Sequence, residues 1–209
     1  MLEYYQAATA DGSRRPIYFV NTKDPTRRPR HSLATTTFHE ANPGHHLQIA
    51  IEQEATHRPA IRRFAAELVG AAFSEGWGLY AERLADEMGL YQDDYERLGM
   101  LEMQAFRAAR MVVDTGLHAF GWDRERALEV MATTGTERSK CELEVDRYVA
   151  MPGQALTYRL GQHAIEQWRA AAAKRRGRGF SLPAFHDQVL ALGSLPLSVL
   201  QRELAIASE

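Results

Sequence analysis

The chain has a single cysteine, Cys141, in 209 residues. One thiol excludes an internal disulfide framework and any metal site built from several thiolates. No apolar run approaches the roughly 20 residues that a membrane-spanning helix needs. The opening residues, Met1-Leu2-Glu3-Tyr4-Tyr5, are too polar and too few to read as a secretory signal. Charge of one sign is missing as well: 25 Lys and Arg face 27 Asp and Glu, a formal net charge of -2. Nothing global therefore draws the chain to nucleic acid or to an anionic membrane. These absences lead to the expectation of a cytoplasmic protein with no nucleic-acid and no membrane partner. Internal repeats and low-complexity tracts are lacking too. The composition is 45% hydrophobic and 25% charged, which, with the length, fits one domain over residues 1–209 with a sizeable core.

The pattern along the chain predicts a mainly α fold with a small β element near the N-terminus. Asp11-Gly12-Ser13 reads as a turn and Pro16-Ile17-Tyr18-Phe19-Val20 as a strand, and residues 21–30 are polar and proline-containing. Leu33 to Phe38 suits a helix or a buried strand. Helical runs then dominate: Ile61 to Met88 closed by Gly89, and Asp93 to Phe120 broken at Gly121-Trp122. A shorter run opens at Asp123 and continues through Met131. Gly135 to Leu143 reads as a polar connection, and Pro152 to about Ala173 as a helix. Lys174 to Arg178 reads as a basic loop, and Ser181-Leu182-Pro183 opens a helix with Pro early in its first turn.

Three imidazoles and a carboxylate fall within Phe38-His39-Glu40-Ala41-Asn42-Pro43-Gly44-His45-His46-Leu47-Gln48. A His-Glu pair followed by another His is how many hydrolases hold zinc together with the base that activates water. On an undistorted helix two such imidazoles meet at i and i+4, but position 43 is Pro. Seven residues of helix rise roughly 10 Å, too far for both rings to reach one ion. Pro43 lacks an N–H and Gly44 loosens the backbone, so Asn42-Pro43-Gly44 is expected to bulge. The bulge brings His45 or His46 back towards His39, with Glu40 as the base. The plainer alternative is a cluster that caps the next helix.

Glu75, in Phe73-Ser74-Glu75-Gly76-Trp77-Gly78-Leu79-Tyr80-Ala81-Glu82, completes a His₂Glu set from a second helix; the glycines suggest close packing around it. Arg110, Asp114 and His118 share one helix face, with Arg107 nearby. Asp114 could orient a ligating imidazole, and His118 or Arg110 could contact substrate, or the series could be an ion-pair stripe. Tyr148 and Tyr158, the latter one helical turn after Gln154, are candidates to donate to a developing oxyanion; a buried core role is their plain alternative. His31, His57 and His163 show no partner pattern, Cys141 reads as a bystander, and His186-Asp187 could be functional or simply open a surface helix.

Together with Asp11-Gly12-Ser13-Arg14, Asp114-Thr115-Gly116-Leu117-His118, Asp146-Arg147-Tyr148 and Pro152-Gly153-Gln154-Ala155, these motifs resemble a largely bacterial family, domain of unknown function 885. That family is grouped with zinc metallopeptidases of the gluzincin kind. The resemblance implies a zincin-like helical metallopeptidase catalytic region in which His39, His45 and Glu75 bind Zn2+ and Glu40 is the base. His45 is chosen over His46 because Gly44-His45 matches the Gly-His ending of several helical metallopeptidases. It further implies a peptide or small amide substrate. Two departures stand out. Family members are typically longer and the match starts in their second half, so this reads as the C-terminal catalytic part. A rival expectation follows: a catalytically inactive helical module that assembles with a separately encoded N-terminal half, or a homo-oligomer. The second departure is Leu79, which stands where thermolysin-like enzymes often carry an Asp, so that Asp114 or Glu82 would have to substitute.

Overall fold

The computed structural model describes residues 3–23, 30–67 and 71–206. The front of the chain is a hairpin. Strand β1 (Tyr4–Gln6) pairs antiparallel with β2 (Ile17–Phe19), Tyr5 opposite Tyr18. Tyr4 and Phe19 stack across it with ring centroids 4.8 Å apart, the aromatic cross-strand pairing that stabilises short ribbons. The expected strand is present; its partner β1 had no alternation long enough to mark it.

The rest is helical: α1 (His31–Glu40), α2 (His45–Glu54), α3 (Ala60–Arg63), α4 (Ala71–Glu87), α5 (Asp94–Phe120), α6 (Arg124–Ala132), α7 (Arg138–Ala150), α8 (Thr157–Arg176), α9 (Leu182–Leu192) and α10 (Leu197–Ile206). The Leu33–Phe38 ambiguity resolves as helix. Local chemistry accounts for many ends. Asp93, Asp123 and Ser181 cap α5, α6 and α9 by accepting from N–H groups of the first turn. Gly89 and Gly121 sit just past α4 and α5 in the left-handed region, where a side chain is disfavoured.

Three expectations need correction. The run from Ile61 to Met88 is not one helix: α3 stops at Arg63, a 3₁₀ turn follows at Ala65–Glu67, and α4 starts at Ala71. Residues 68–70 of that run lie outside the described residues. The supposed connection Gly135–Leu143 contains the start of α7. Its buried residues, Cys141, Glu144, Val145 and Tyr148, keep helical spacing, but Arg138, Lys140, Glu142 and Glu144 in the first two turns masked the stripe. Lys174 to Arg176 belong to α8, three cations on its last turn, where they favour the dipole.

Helix α4 is the axis of the fold. Its Phe73, Trp77, Tyr80 and Leu84 meet Ile165 and Ala172 of α8, Phe185, Val189 and Leu190 of α9, and Leu200 and Leu204 of α10. A second core joins α5, α6 and α7 around Phe106, Val113, Met131, Val145 and Tyr148. Helices α4 and α8 touch backbone to backbone at Gly76 and Gly161: a Cβ on either would enter the other helix's main chain. Gly161→Val should therefore cost roughly 3 kcal/mol, because neither backbone can retreat without opening the core. Urea unfolding measures this, and a loss below about 1 kcal/mol would contradict the close approach.

Candidate metal centre

The site forms where α1 breaks. Asn42–Pro43 is cis and Gly44 is buried. A Cβ at Gly44 would run into the His39 carbonyl, so the chain can double back only with glycine there. The Trp77 indole N–H donates to the Pro43 carbonyl at 2.9 Å and pins the bend to α4. His39, near the end of α1, and His45, the first residue of α2, thus face each other, ring centroids 4.6 Å apart at 87°.

Glu75 of α4 closes the triangle. Its Oε2 lies 3.5 Å from Nε2 of His39 and 3.5 Å from Nε2 of His45. One ligand atom from each of the three residues falls within 4.8 Å of the others, the one such cluster of His, Cys, Asp or Glu among the described residues. Donors around a tetrahedral ion at 2.0–2.2 Å stand about 3.4 Å apart, so the two 3.5 Å spacings suit a zinc-sized ion.

The supports fit as well. His39 Nδ1 donates to Glu82 Oε1 at 2.8 Å. That bond fixes the tautomer that leaves Nε2 free to ligate. Glu82 is fully buried, with the Gln104 amide at 3.3 Å and Arg107 Nη2 at 3.8 Å. Gly78 lies under the His39 ring: a Cβ there would stand 2.6 Å from Cε1. On the other side His45 Nδ1 is 3.4 Å from Ser74 Oγ, which donates to Gln48; Gln48 donates to Glu52, and Glu52 accepts from the Ser194 amide and hydroxyl. One face of α4, Ser74-Glu75-Gly78-Glu82, therefore supplies one ligand, room for a second and partners for both imidazoles.

Burial alone would push the His39 pKa down. The two carboxylates Glu75 and Glu82 outweigh it and hold the imidazolium to about 9. Burial would likewise raise Glu75, but the hydrogen bonds and charges of His39 and His45 keep it well below the usual carboxylate range. In the ion-free chain a proton on His39 offsets negative charge that a divalent cation would otherwise offset.

The other sequence candidates divide. Glu40, next to His39 in the chain, has its carboxylate held by the Tyr5 amide of β1 at 2.8 Å. Tyr158 stacks near His39, centroids 6.4 Å apart, with the Arg110 guanidinium 4.3 Å above its ring centroid. Burial raises the Tyr158 pKa, so its hydroxyl stays a donor at neutral pH. Tyr148, by contrast, donates its hydroxyl to Glu144 at 2.8 Å. His118 lies 3.0 Å from the Tyr148 carbonyl, and Asp114 accepts the Gly153 amide; neither meets the imidazole pair in a hydrogen bond. Of Asp114 and Glu82, Glu82 reaches an imidazole of the pair and Asp114 does not. His46 turns to the hairpin, Nδ1 3.2 Å from the Tyr5 hydroxyl. Cys141 is buried, and His31 pairs with Glu102. Ser74 was missed: only its place directly before Glu75 could have marked it.

The sequence model of a family described as bacterial protein of unknown function (DUF885) matches residues 2–204. None of the curated proteins matches the chain. Among solved structures, the chain is similar to a "putative lipoprotein" from Colwellia psychrerythraea, with a TM-score of 0.93 and 44% identity over 99% of this chain. It shares its fold with a "putative lipoprotein of unknown function" from Shewanella oneidensis, with a TM-score of 0.82 and 23% identity over 97% of this chain. The chain spans 35% of the first protein's length and 38% of the second's.

Two outcomes are expected. Glu82→Gln should weaken any zinc binding at this cluster by roughly 10–100-fold, read by competition against a chromophoric chelator; unchanged affinity would remove Glu82 from the site. Metal-free protein should also lose stability as pH rises. The His39 pKa is raised on folding, so its contribution is full below about pH 6.5 and is lost as pH passes about 9. The loss is on the order of 3 kcal/mol. Urea melts with a chelator present measure it, and His39→Ala should flatten the profile.

Proposed function

This chain belongs to the DUF885 family, and on that premise we propose that it is the metal-holding catalytic region of a zinc-dependent hydrolase, zincin-like in its helical frame, acting on a peptide or small amide. The observation that carries this reading is the convergence of His39, His45 and Glu75 with Glu82 locked behind His39. Two imidazoles and one carboxylate leave an open coordination position, the donor set of catalytic rather than structural zinc.

Each residue has a role that follows from its surroundings. His39, His45 and Glu75 hold the ion. Zinc bound there supplies a Lewis acid and brings the pKa of a nearby water towards neutrality. Glu40, steadied by the Tyr5 amide, accepts the proton of the attacking water and returns it to the leaving amine. Tyr158, kept protonated by burial, donates to the substrate's carbonyl oxygen as it gains negative charge. Tyr148 and His118 support α5 and α7 in this reading, since their polar atoms meet groups of those helices.

The comparisons favour a second setting and a second reading. The description of both solved neighbours as lipoproteins favours an exported location over the cytoplasmic one expected from the sequence. No helix of the described residues is long and apolar enough to cross a membrane. The share of the neighbours that this chain spans supports a rival in which the chain binds metal yet hydrolyses nothing by itself.

Purified protein should carry one zinc, lost in His39→Ala. Glu40→Gln should keep the zinc and lower hydrolysis of a mixed peptide library by roughly 10²–10⁴-fold. Equal zinc in wild type and His39→Ala would sink the metal assignment. Zinc-loaded wild type without hydrolysis would favour the inactive module.

A further inference from the structure

From Leu98 onward helix α5 buries most of its charge. Its charged residues Arg107, Arg110 and Asp114 are buried, 7%, 3% and 2% exposed. Its solvent face is apolar. From Leu98 to Phe120 the exposed residues are Leu98, Leu101, Ala105, Val112, His118, Ala119 and Phe120. A solvated helix face would carry Lys, Glu or Arg at such positions; here the one charged side chain beside them is Glu102, 45% exposed and paired with His31 at 2.6 Å.

The spacing of that face is more telling than its composition. Leu98, Leu101, Ala105, Ala108, Val112, Thr115 and Ala119 follow one another by alternating steps of three and four. That is the seam along which two helices pack at a shallow angle, sustained for three heptads and about 32 Å of helix. The one polar member, Thr115, already spends its hydroxyl on the Met111 carbonyl. Leu98, Leu101 and Val112 are 46%, 53% and 48% exposed, so no element among the described residues fills the seam.

The seam is complementary to its own reverse. Read from the other end, Leu98 falls opposite Ala119, Leu101 opposite Thr115, Ala105 opposite Val112 and Ala108 opposite itself. Each large side chain meets a small one, as interdigitating layers require. Antiparallel pairing also sets the two helix dipoles against each other favourably. At both ends Tyr95, 49% exposed, comes beside Phe120, 72% exposed, of the other copy and widens the contact. The net charge of -2 opposes association only weakly.

We propose that α5 is a dimerisation helix, paired antiparallel with α5 of a second copy of this chain along Leu98, Leu101, Ala105, Ala108, Val112, Thr115 and Ala119. The pairing does not depend on the metal reading, since the seam is on the solvent side of α5 and the site is reached from its inner side.

Sedimentation equilibrium tests it. The wild type should be a dimer at micromolar concentration. Leu101→Glu with Val112→Glu should raise the dissociation constant by roughly 100-fold or more, with an unchanged far-ultraviolet spectrum and zinc content. Cysteine oxidation fixes the direction. Ala108→Cys should cross-link two copies, Ala119→Cys alone should not, and a mixture of Leu98→Cys with Ala119→Cys should. A wild type that stays monomeric to high-micromolar concentration overturns the proposal and assigns the seam to polypeptide of the kind that lies outside the shared region in the longer neighbours. A dimer that survives the double glutamate, or cross-links through Ala119→Cys alone, overturns it as well.

Discussion

Everything in this molecule turns on one buried imidazole held between two carboxylates of a single helix. His39 is 3% exposed, with Glu75 on its Nε2 side and Glu82 on its Nδ1 side. A charged group in that position is tolerable only if paired, because desolvation otherwise costs several kcal/mol. The pairing demands that α4 lie close against the end of α1, and Gly78 removes the one side chain that would forbid it. The close approach of α4 to α8 through Gly76 and Gly161 then holds α4 from behind. Two faces of one helix are thus stripped to glycine for different reasons, one for a ring and one for a backbone.

Much of this was legible in the sequence where the signal was local. Asp93, Asp123 and Ser181 announce helix starts because a capping side chain acts within one turn. Pro43-Gly44 announces the break between α1 and α2 because a missing N–H and a missing Cβ act on their own residues. The candidate ligand set was legible for the same reason, with Glu75 marked by its glycine neighbours. What stayed hidden depends on contacts distant in sequence. Strand β1 is three residues long and exists because β2 pairs with it. Helix α7 buries four residues against α5 and α6, and its charged first turns hide that stripe until those helices are in place. The choice between Asp114 and Glu82 was a question of which face of which helix meets His39, which no spacing within α5 or α4 can answer.

The two imidazoles differ in how they are held. His39 is backed by a carboxylate, which raises its basicity and draws a proton to it in the ion-free state. His45 is backed by a hydroxyl, and behind Ser74 stands Gln48, then Glu52, then the turn at Ser194 between α9 and α10. The first imidazole is therefore set by charge and the second by a chain of neutral and anionic acceptors reaching the last helices. Gln48, Glu52 and Ser194 are all essentially sealed from solvent, where each polar contact of the network counts for more than it would in water.

The bond from the Tyr5 amide to Glu40 carries a different implication. The candidate ligands His39, His45 and Glu75 are braced by α4, whereas Glu40, the proposed proton acceptor, is braced by Tyr5 of the hairpin. In the proposed reading, holding an ion and moving a proton would thus fall to separate anchors. On the proposed reading, a change confined to the hairpin, by substitution or by proteolysis, would take away proton transfer and leave ion binding intact, with nothing altered at His39, His45 or Glu75.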